Sequence, residues 1–283
     1  MSPRKMSNST KLIIEESKKL FQNVDHVPIT ETVIQVDNDS KLLYKGNTLD
    51  KYDYLIPRID SKRARYGYKL MKYFDQTNIK KPYNANAITV AHNKFSTIYE
   101  LRQAGLPVPA TWLVGSKAAG EQLIEKLQFP VVIKLVGSSG GKGITFAETS
   151  ESAKTILNTL DILKQELLIE EYIESKGEDI RILVIGDNIV SMKRIAERGK
   201  LKSNVHSGGK AVMYTPTEEE QELAIKAAEA IKSKICAVDM LVGKDGIKII
   251  ELNINPGLAG ISKARGENIA QIIAKYTYEE SKK

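Results

Sequence analysis

Two carboxylates and an amide lie on two apolar runs that are separated by a short turn. Asp239 belongs to the run 235–242, and Glu251 and Asn253 belong to the run 247–254. Such runs predict a β-hairpin, in which side chains alternate between faces, so Glu251 and Asn253 share one face. Oxygen ligands of this kind suit Mg²⁺ or Mn²⁺, and opposed carboxylates repel each other unless a cation lies between them. The hairpin therefore predicts a metal site, and a carboxylate paired with a lysine on a solvated strand face is the alternative.

The turn between the two runs determines which side chains face each other. Residues 244–246 end in glycine, and a three-residue loop of this kind is typical of a type I turn followed by a left-handed bulge residue. This loop pairs Gly243 with Ile247, and counting back along both strands places Asp239 directly opposite Glu251. Directly opposed residues have Cβ atoms roughly 5 Å apart, which is close enough for two carboxylates to share one ion.

A lysine within an apolar strand precedes a glycine-rich loop. Lys134 lies in the run 129–136, and a buried ammonium group without a counter-charge is costly. We therefore expect Lys134 either at an exposed edge or against an anion, and the loop 137–143 favours the anion. Glycine-rich backbone can close its N–H groups around phosphate oxygens, although a flexible hairpin tip has the same composition. The candidate phosphate contacts in this loop are Ser138, Ser139, Gly140 and Gly141.

A second hairpin is predicted to bring two cations together. Its strands carry Arg181 and Arg194 on either side of a short polar turn. A two-residue loop at 187–188 places Arg181 opposite Arg194, whereas a three-residue loop places it opposite Lys193. Either register is stabilised by a bound phosphate or carboxylate, and neutralisation by Asp179 and solvent is the alternative.

Composition restricts the class of protein. The chain has 283 residues, 42% of them apolar, and a formal net charge of +7. No apolar run approaches the roughly 20 residues that span a bilayer, and the first residues lack the apolar segment of a secretory signal, so we expect no membrane partner and a cytoplasmic location. The charge favours acidic partners, but the lysines are scattered, and nucleic acid is not expected to bind. The single cysteine, Cys236, excludes an intramolecular disulfide framework and a cysteine-rich zinc site.

The sequence patterns divide the chain into three parts. Residues 1–90 alternate helical and strand patterns and predict a small α/β domain that begins almost at its first helix, so its opening strand is either atypical or absent. The predicted helices of this domain are 10–21 and 64–75, and its predicted strands are 32–36 and 53–59. A glycine and two prolines within 105–109 end a helix and mark a linker. We expect a second lobe over 91–170 and a third over 171–283.

A series of short segments occurs along the chain in a fixed order. Covering about Ile56 to Ile273, they are LIPRI, VVIKL, the glycine-rich loop, IEEYIE, EDIRILVIGD, MKRIA, LKSNVHSGG, AVDML and IIELNINPGLAGI. Together they resemble the ATP-grasp superfamily, and more narrowly the RimK-type α-L-glutamate ligases. The resemblance implies an α/β (α+β) fold, with a small N-terminal α/β pre-ATP-grasp domain and two lobes that clasp a nucleotide. It also implies ATP-dependent ligation of glutamate, or a similar amino acid, to an acceptor carboxylate through an acyl-phosphate, with release of ADP and phosphate.

The same resemblance implies roles for individual residues. Lys94 and Lys134 contact the ATP phosphates together with the glycine-rich loop. The other implied nucleotide contacts are Glu171 and Tyr172 at the adenine, Asp179 at the ribose side, Lys202 and Ser203. The implied ligands of Mg²⁺ or Mn²⁺ are Asp239, Glu251 and Asn253. The implied catalytic residues are Lys134, Arg194 and Asn204. The family more often has arginine at the position of Lys202, and a lysine lacks the bidentate fork with which arginine grips a carboxylate.

The resemblance implies partners but leaves the acceptor open. Glutamate and an acceptor carboxylate are the expected substrates, and the acceptor is either a protein C-terminus, such as a ribosomal protein tail, or a glutamylated cofactor. Similar enzymes also lead us to expect a homo-oligomer. Two other functions are considered: a small-molecule kinase of the same superfamily, and a non-catalytic nucleotide-binding partner of ribosomal proteins. ATP consumption that depends on an amino acid and yields free phosphate distinguishes the ligase from both.

Overall fold

Helices and antiparallel strands alternate along the part of the chain that the computed structural model describes, residues 1–136, 143–161, 166–196 and 209–283. The helices are α1 (Asn8–Ser17), α2 (Ala64–Phe74), α3 (Ala85–Ala91), α4 (Lys94–Gln103), α5 (Lys117–Ile124), α6 (Ser150–Asp161), α7 (Glu218–Ala230), α8 (Ala259–Arg265) and α9 (Ile269–Ser281). The strands are β1 (Thr32–Gln35), β2 (Lys41–Tyr44), β3 (Asn47–Thr48), β4 (Thr111–Val114), β5 (Val131–Leu135), β6 (Ile144–Ala147), β7 (Leu167–Glu171), β8 (Glu178–Ile185), β9 (Asn188–Ile195), β10 (Lys210–Met213), β11 (Ile235–Gly243) and β12 (Gly246–Asn253). In these ranges no helix is both long enough and apolar enough to span a bilayer.

The strands form three antiparallel sheets. A small sheet near the N-terminus has the order β1-β2-β3. A four-stranded sheet has the order β4-β7-β5-β6, and a five-stranded sheet has the order β10-β9-β8-β11-β12. Neighbouring strands run antiparallel throughout, so each sheet is built from hairpins and longer connections rather than from parallel crossovers.

Both faces of the five-stranded sheet are covered, which explains the nearly continuous apolar run of β8. Ile180, Ile182 and Val184 pack in a cluster that also contains residues of the N-terminal part and of helices α2, α3, α4 and α7. The alternate residues Leu183 and Ile185 pack in a second cluster with residues of α1, α8 and α9. One core therefore joins the first ninety or so residues to the C-terminal sheet.

The four-stranded sheet has a core of its own. Val114, Val131 and Ile133 of its strands pack with Ile124 of α5 and Leu157 of α6. This cluster shares no residue with the other two among the residues described. The four-stranded sheet therefore has a core separate from the rest of the molecule, and its two central strands, β5 and β7, carry the residues that it contributes to the candidate site.

The N-terminal part differs from the sequence expectation in two places. Residues 53–59 form no strand, and Tyr54 makes only an isolated bridge with Lys80. Strand-like hydrogen bonds do precede α1, because Ser2 bridges Pro28 in parallel and the Met1 carbonyl accepts from Arg58 N at 2.8 Å. Helix α1 covers Asn8–Ser17 instead of 10–21, whereas α2 ends within one residue of its predicted end.

Candidate active site

One face of the five-stranded sheet changes from apolar to charged along its strands. On β8, Leu183 and Ile185 pack with residues of α8 and α9, and alternation places Asp179 and Arg181 on the same face beyond them. Strands β9 and β11 follow the same pattern: Arg194 follows Met192, and Asp239 follows Ala237. The apolar half of the face is covered by helices, so the charged residues are concentrated at its other end.

The hairpin of β11 and β12 confirms that Asp239 faces Glu251, although the loop differs from the one predicted. The strands pair Gly243 with Gly246, so the loop has two residues instead of three. A register shift between Asp239 and Met240 then adds one residue, Ile250, to β12 and restores the expected pairing.

Asp239 is held by two arginines from neighbouring strands. The Arg181 guanidinium donates to both carboxylate oxygens, with Nε–Oδ1 and Nη2–Oδ2 distances of 2.7 and 2.6 Å. Arg194 Nη2 donates to Asp239 Oδ2 at 2.9 Å, and Arg194 Nε donates to Asp179 Oδ1 at 2.5 Å. Burial alone would raise the pKa of Asp239, but the two guanidinium groups outweigh it and lower the pKa to about 2. Asp239 is therefore ionised and preorganised, and a metal ion there would have to share its oxygens with these donors.

The register of β8 and β9 differs from both predicted alternatives. Gly186 and Asp187 form the loop, so Arg181 pairs with Met192 and Asp179 pairs with Arg194. The two arginines are nevertheless close together, because both reach Asp239 on the adjacent strand β11. The anion between them is a protein carboxylate, and Asp179 neutralises Arg194 directly, as the alternative interpretation proposed.

Glu251 differs from Asp239, because none of the described residues pairs with it directly. Within the described part of the chain, no donor lies at hydrogen-bond or ion-pair distance from its carboxylate. The side chain is reached by solvent, yet nearby protein atoms displace much of its water, and this desolvation together with the charge of Asp239 raises the pKa of Glu251. Arg181, Lys134 and Lys94 oppose that shift from further away. An additional cation beside Glu251 would relieve the unfavourable charge.

Asn253 completes the predicted ligand set on β12. It pairs with Ala237 of β11, two residues along the strand from Glu251. Its Oδ1 accepts from Asn255 N at 2.8 Å, which fixes the amide at the end of the strand. The two carboxylates and this amide offer the oxygen ligands that Mg²⁺ prefers, so the residues fit such an ion. The described residues contain no group of three or more His, Cys, Asp or Glu side chains placed for a metal.

Lys134 meets an anion within the chain. Its side chain is only 12% exposed, and Nζ lies 2.5 Å from Glu170 Oε2 on β7. The other oxygen, Glu170 Oε1, is buried and has no hydrogen-bond partner. The sequence analysis missed Glu170, although opposite charges inside the two apolar strands VVIKL and LLIEE could have indicated the pair.

Lys94 joins the same charged region from the first turn of α4. Its Nζ donates to the Leu135 carbonyl at 3.4 Å. Burial lowers the pKa of Lys94, Glu251 and Glu170 raise it, and Lys134 lowers it further. The four-stranded sheet, α4 and the five-stranded sheet therefore contribute acidic and basic side chains to one cleft.

The predicted adenine contacts lie at the end of β7. Glu171 N donates to the Ala110 carbonyl at 2.9 Å, and Glu171 Oε2 accepts from Ala110 N at 3.0 Å. The ring of Tyr172 lies edge-on to Phe146, with centroids 5.8 Å apart. These contacts fix the chain where it leaves the four-stranded sheet. The remaining predicted site residues lie outside the described ranges; they are Ser138, Ser139, Gly140, Gly141, Lys202, Ser203 and Asn204.

Family models match nearly the whole chain. Residues 1–88 match a RimK pre-ATP-grasp domain, and residues 91–277 match a RimK-like ATP-grasp domain. A probable alpha-L-glutamate ligase of Chromohalobacter salexigens is 36% identical over 236 residues, covering 82% of this chain and 78% of the relative. A probable alpha-L-glutamate ligase of Cellvibrio japonicus is 32% identical over 278 residues, covering 97% of this chain and 92% of the relative.

Solved structures are similar in fold at low sequence identity. A RimK domain protein from Sphaerobacter thermophilus has a TM-score of 0.74 at 18% identity and covers 98% of both chains. The ATP-grasp ligase PsnB, complexed with a minimal precursor, Mg and ADP, has a TM-score of 0.76 at 13% identity, covering 100% of this chain and 97% of that one. The macrocyclase MdnC of Microcystis aeruginosa, bound to its precursor peptide, has a TM-score of 0.74 at 14% identity, covering 99% and 100%.

Proposed function

Because the chain belongs to the RimK-like ATP-grasp family and is an ATP-dependent ligase that forms C–N bonds, we propose that it joins glutamate, or a similar amino acid, to an acceptor carboxylate through an acyl-phosphate. Within this proposal, residues 1–90 form the pre-ATP-grasp domain, and residues 91–170 and 171–283 form the two lobes that clasp the nucleotide. The observation that carries the proposal is the cleft in which Asp239 faces Glu251 while Lys94 and Lys134 lie near Glu251.

The cationic side chains are assigned to the phosphates. ATP with Mg²⁺ supplies the phosphoryl group that activates the acceptor carboxylate. Lys134 exchanges its contact with Glu170 for a phosphate oxygen, and Lys94 reaches the same region from α4. Arg194 is fixed by Asp179 and Asp239 and spreads charge away from the transferred group. Asn204, Lys202 and Ser203 are assigned to the same pocket on the resemblance alone, as are the loop residues Ser138, Ser139, Gly140 and Gly141.

The acidic side chains are assigned to the metal. Asp239, Glu251 and Asn253 would hold Mg²⁺, and the charge of the ion would offset the desolvation and the repulsion from Asp239 that raise the pKa of Glu251. Glu171 and Tyr172 take the adenine end, and Asp179 takes the ribose side. In this mechanism positioning and charge supply the rate, and no side chain serves as a covalent nucleophile.

The amine of the incoming amino acid attacks as the free base, and free phosphate leaves. Water must be kept from the activated acceptor, and we assign this task to the glycine-rich loop 137–143. The acceptor is a protein C-terminus or a cofactor that ends in a carboxylate. Similar folds carry bound precursor peptides in PsnB and MdnC, which makes a peptide tail the first acceptor to test.

The test is the dependence of ATP consumption on glutamate. Purified protein with ATP, Mg²⁺ and candidate acceptors is expected to release ADP and free phosphate only when glutamate is added, and the acceptor gains mass by one residue at a time. ADP formation without glutamate, with phosphate retained on the acceptor, identifies a kinase instead. Absence of ADP with every substrate would leave a nucleotide-binding role and contradict the ligase.

A further inference from the structure

A second cleft opens beside the metal-binding hairpin, between the N-terminal part and the turn that follows β12. Its volume is about 660 Å³. Its lining includes Arg4, Lys5, Arg58, Asp60, Arg63 and Asn255. We propose that this cleft binds a non-reacting carboxylate of a substrate, together with an N–H group of the same molecule. The inference rests on the proposed function, because it assigns a substrate of that reaction to the cleft.

The cleft adjoins the reaction centre through the chain itself. Asn255 is two residues beyond Asn253, so their Cα atoms are at most about 7 Å apart. The Arg58 guanidinium donates from Nη2 to the Pro256 carbonyl at 2.9 Å, and Asn255 Nδ2 donates to the Ile59 carbonyl at 3.4 Å. These bonds fix both walls of the cleft relative to the end of β12. A substrate of ordinary size can therefore reach from this cleft to the metal-binding carboxylates.

Arg58 is a buried cation that has no counter-ion in the described ranges. The residue is 6% exposed, its Nε has no hydrogen-bond partner, and among the described residues no carboxylate lies within ion-pair distance of it. Burial lowers the pKa of Arg58 to about 10. A buried donor that is left unpaired costs roughly 1–3 kcal/mol, and more when it is charged, so a bound anion would compensate this residue.

Asn255 presents the complementary atom. Its Oδ1 is buried and has no hydrogen-bond partner among the residues described, whereas its Nδ2 donates to the Ile59 carbonyl. An unpaired amide oxygen requires a donor, which an ammonium or amide N–H supplies. The residues that line the cleft therefore include one with an unpaired donor, Arg58, and one with an unpaired acceptor, Asn255.

The remaining charges of the cleft favour an anion. Arg63 is paired with Asp60, with Nη1 and Oδ2 2.6 Å apart, and Arg4 is paired with Glu31. Lys5 is exposed and has no ion pair in the described part of the chain. With Arg58, the lining residues carry more positive than negative charge, so a carboxylate is attracted, and guanidinium groups suit carboxylate geometry.

A carboxylate next to an N–H group is the chemistry of an α-amino acid. Two substrates of the proposed reaction offer a non-reacting carboxylate together with an N–H group: free glutamate, with its ammonium group, and a peptide acceptor whose C-terminal residue is acidic, with its side-chain carboxylate and its amide N–H. The chemistry recognised is the same, so variants of the cleft must be tested against both sources.

The test measures binding of two probes by calorimetry in the presence of a non-hydrolysable ATP analogue and Mg²⁺. The probes are L-glutamate and an N-acetylated tetraglutamate peptide. Arg63→Gln and Asn255→Asp are expected to weaken one probe by about 5- to 10-fold, and Arg58→Lys by about 10-fold or more, while affinity for the ATP analogue is unchanged. If only the affinity for glutamate falls, the cleft binds the amino acid. If only the affinity for the peptide falls, the cleft binds the acceptor.

Lys62→Gln is the matched control for Arg63→Gln. Lys62 is exposed, adjoins Arg63 and does not line the cleft, so the same loss of one charge is expected to change affinity by less than about 2-fold. Folding of each variant is checked by thermal unfolding, and Arg63→Gln and Asn255→Asp decide the outcome if Arg58→Lys does not fold. Equal affinities in wild type, Arg63→Gln and Asn255→Asp overturn the inference, as does failure of the wild type to bind either probe. Failure of the proposed function is a separate result, seen as absence of glutamate-dependent phosphate release by the wild type.

Discussion

Asp239 and Glu251 face each other across a hairpin, but the pKa of Asp239 is lowered and that of Glu251 is raised. Asp239 accepts from both Arg181 and Arg194, which keeps its pKa near 2. Glu251 has no such donor, and its pKa is raised. A structural ion-pair network would neutralise both, so the imbalance identifies Glu251 as the position at which a further cation is most strongly favoured.

Replacing Glu251 by glutamine tests this assignment. Glu251→Gln keeps the shape of the side chain but removes the charge, so we expect ADP release to fall by at least about 100-fold. Circular dichroism should be unchanged. Glu229→Gln makes the same chemical change on the exposed face of α7 and should retain full activity. Undiminished turnover in Glu251→Gln would contradict the metal assignment.

The same variant has a predicted pH signature in the absence of metal and nucleotide. Because the pKa of Glu251 is raised on folding, the folded state keeps the proton longer than the unfolded state, so this group lowers stability as pH rises through its folded pKa. Below pH 4.5, the pKa of this carboxyl group in the unfolded state, wild type and Glu251→Gln should have similar free energies of unfolding. Towards pH 7 the variant should become more stable than the wild type. Thermal unfolding of both proteins between pH 4 and 7 measures the difference, and a difference that shrinks as pH rises would contradict the sign.

At the residue scale, sequence reasoning located most of the charged residues but not their partners. Alternation along two strands was sufficient to bring Asp239 and Glu251 together, because a hairpin is a local structure. The contact of Arg181 with Asp239 joins residues 58 positions apart, and that of Lys134 with Glu170 joins residues 36 positions apart. No local pattern specifies such pairs, because they depend on which strands become neighbours in the sheet.

At the element scale, the β11–β12 hairpin reaches its predicted register by a different route. A two-residue loop shortens the turn by one residue, and the bulge at Ile250 adds one residue back. Turn composition alone does not distinguish these cases, since a glycine with positive φ either ends the three-residue loop or, as observed for Gly246, directly follows the two-residue loop. The β8–β9 loop shows the same limit: the loop consists of Gly186, with a φ of 57°, and Asp187, which shifts the pairing by two residues from the predicted two-residue loop and by one from the predicted three-residue loop.

Gly246 allows a direct test of the hairpin turn. Its φ is 93°, and a Cβ atom added there would meet nothing within 4 Å, so only backbone strain opposes a side chain. Gly246→Ala is expected to lower the free energy of unfolding by about 1–2 kcal/mol. Gly115→Ala is the control, because that glycine also has open space but no positive φ, and it should be neutral or stabilising by up to about 1 kcal/mol. Equal denaturation midpoints for the two variants would contradict the argument.

At the scale of the whole molecule, the cleft joins units with separate cores. The α+β ATP-grasp fold with a pre-ATP-grasp domain, expected from the motifs, is confirmed. The core shared by the N-terminal part and the five-stranded sheet was not predictable, because it depends on packing between distant segments such as Leu70 and Val238. The four-stranded sheet keeps its own core and contributes Lys134 and Glu170 from its central strands, β5 and β7.

A ligand that contacts both units should stabilise the whole protein. With Mg²⁺ and a non-hydrolysable ATP analogue at about 100 times its Kd, the free energy of unfolding should rise by about 2.7 kcal/mol. For a chain of this size that corresponds to a rise in Tm of about 5–10 °C. Differential scanning calorimetry provides the measurement, and omission of Mg²⁺ provides the control. An unchanged Tm at saturating analogue would exclude nucleotide binding in the cleft.

The hydrogen bonds from Arg181 and Arg194 to Asp239 also favour one register of the central strands over the others. Backbone bonding alone tolerates a sheet in which β8 has slipped by one residue, because every N–H and C=O finds another partner. Such a slip would turn Arg181 to the opposite face and leave Asp239 with fewer donors in a buried setting. Misaligned versions of the central sheet are thereby penalised during folding, before any substrate is present.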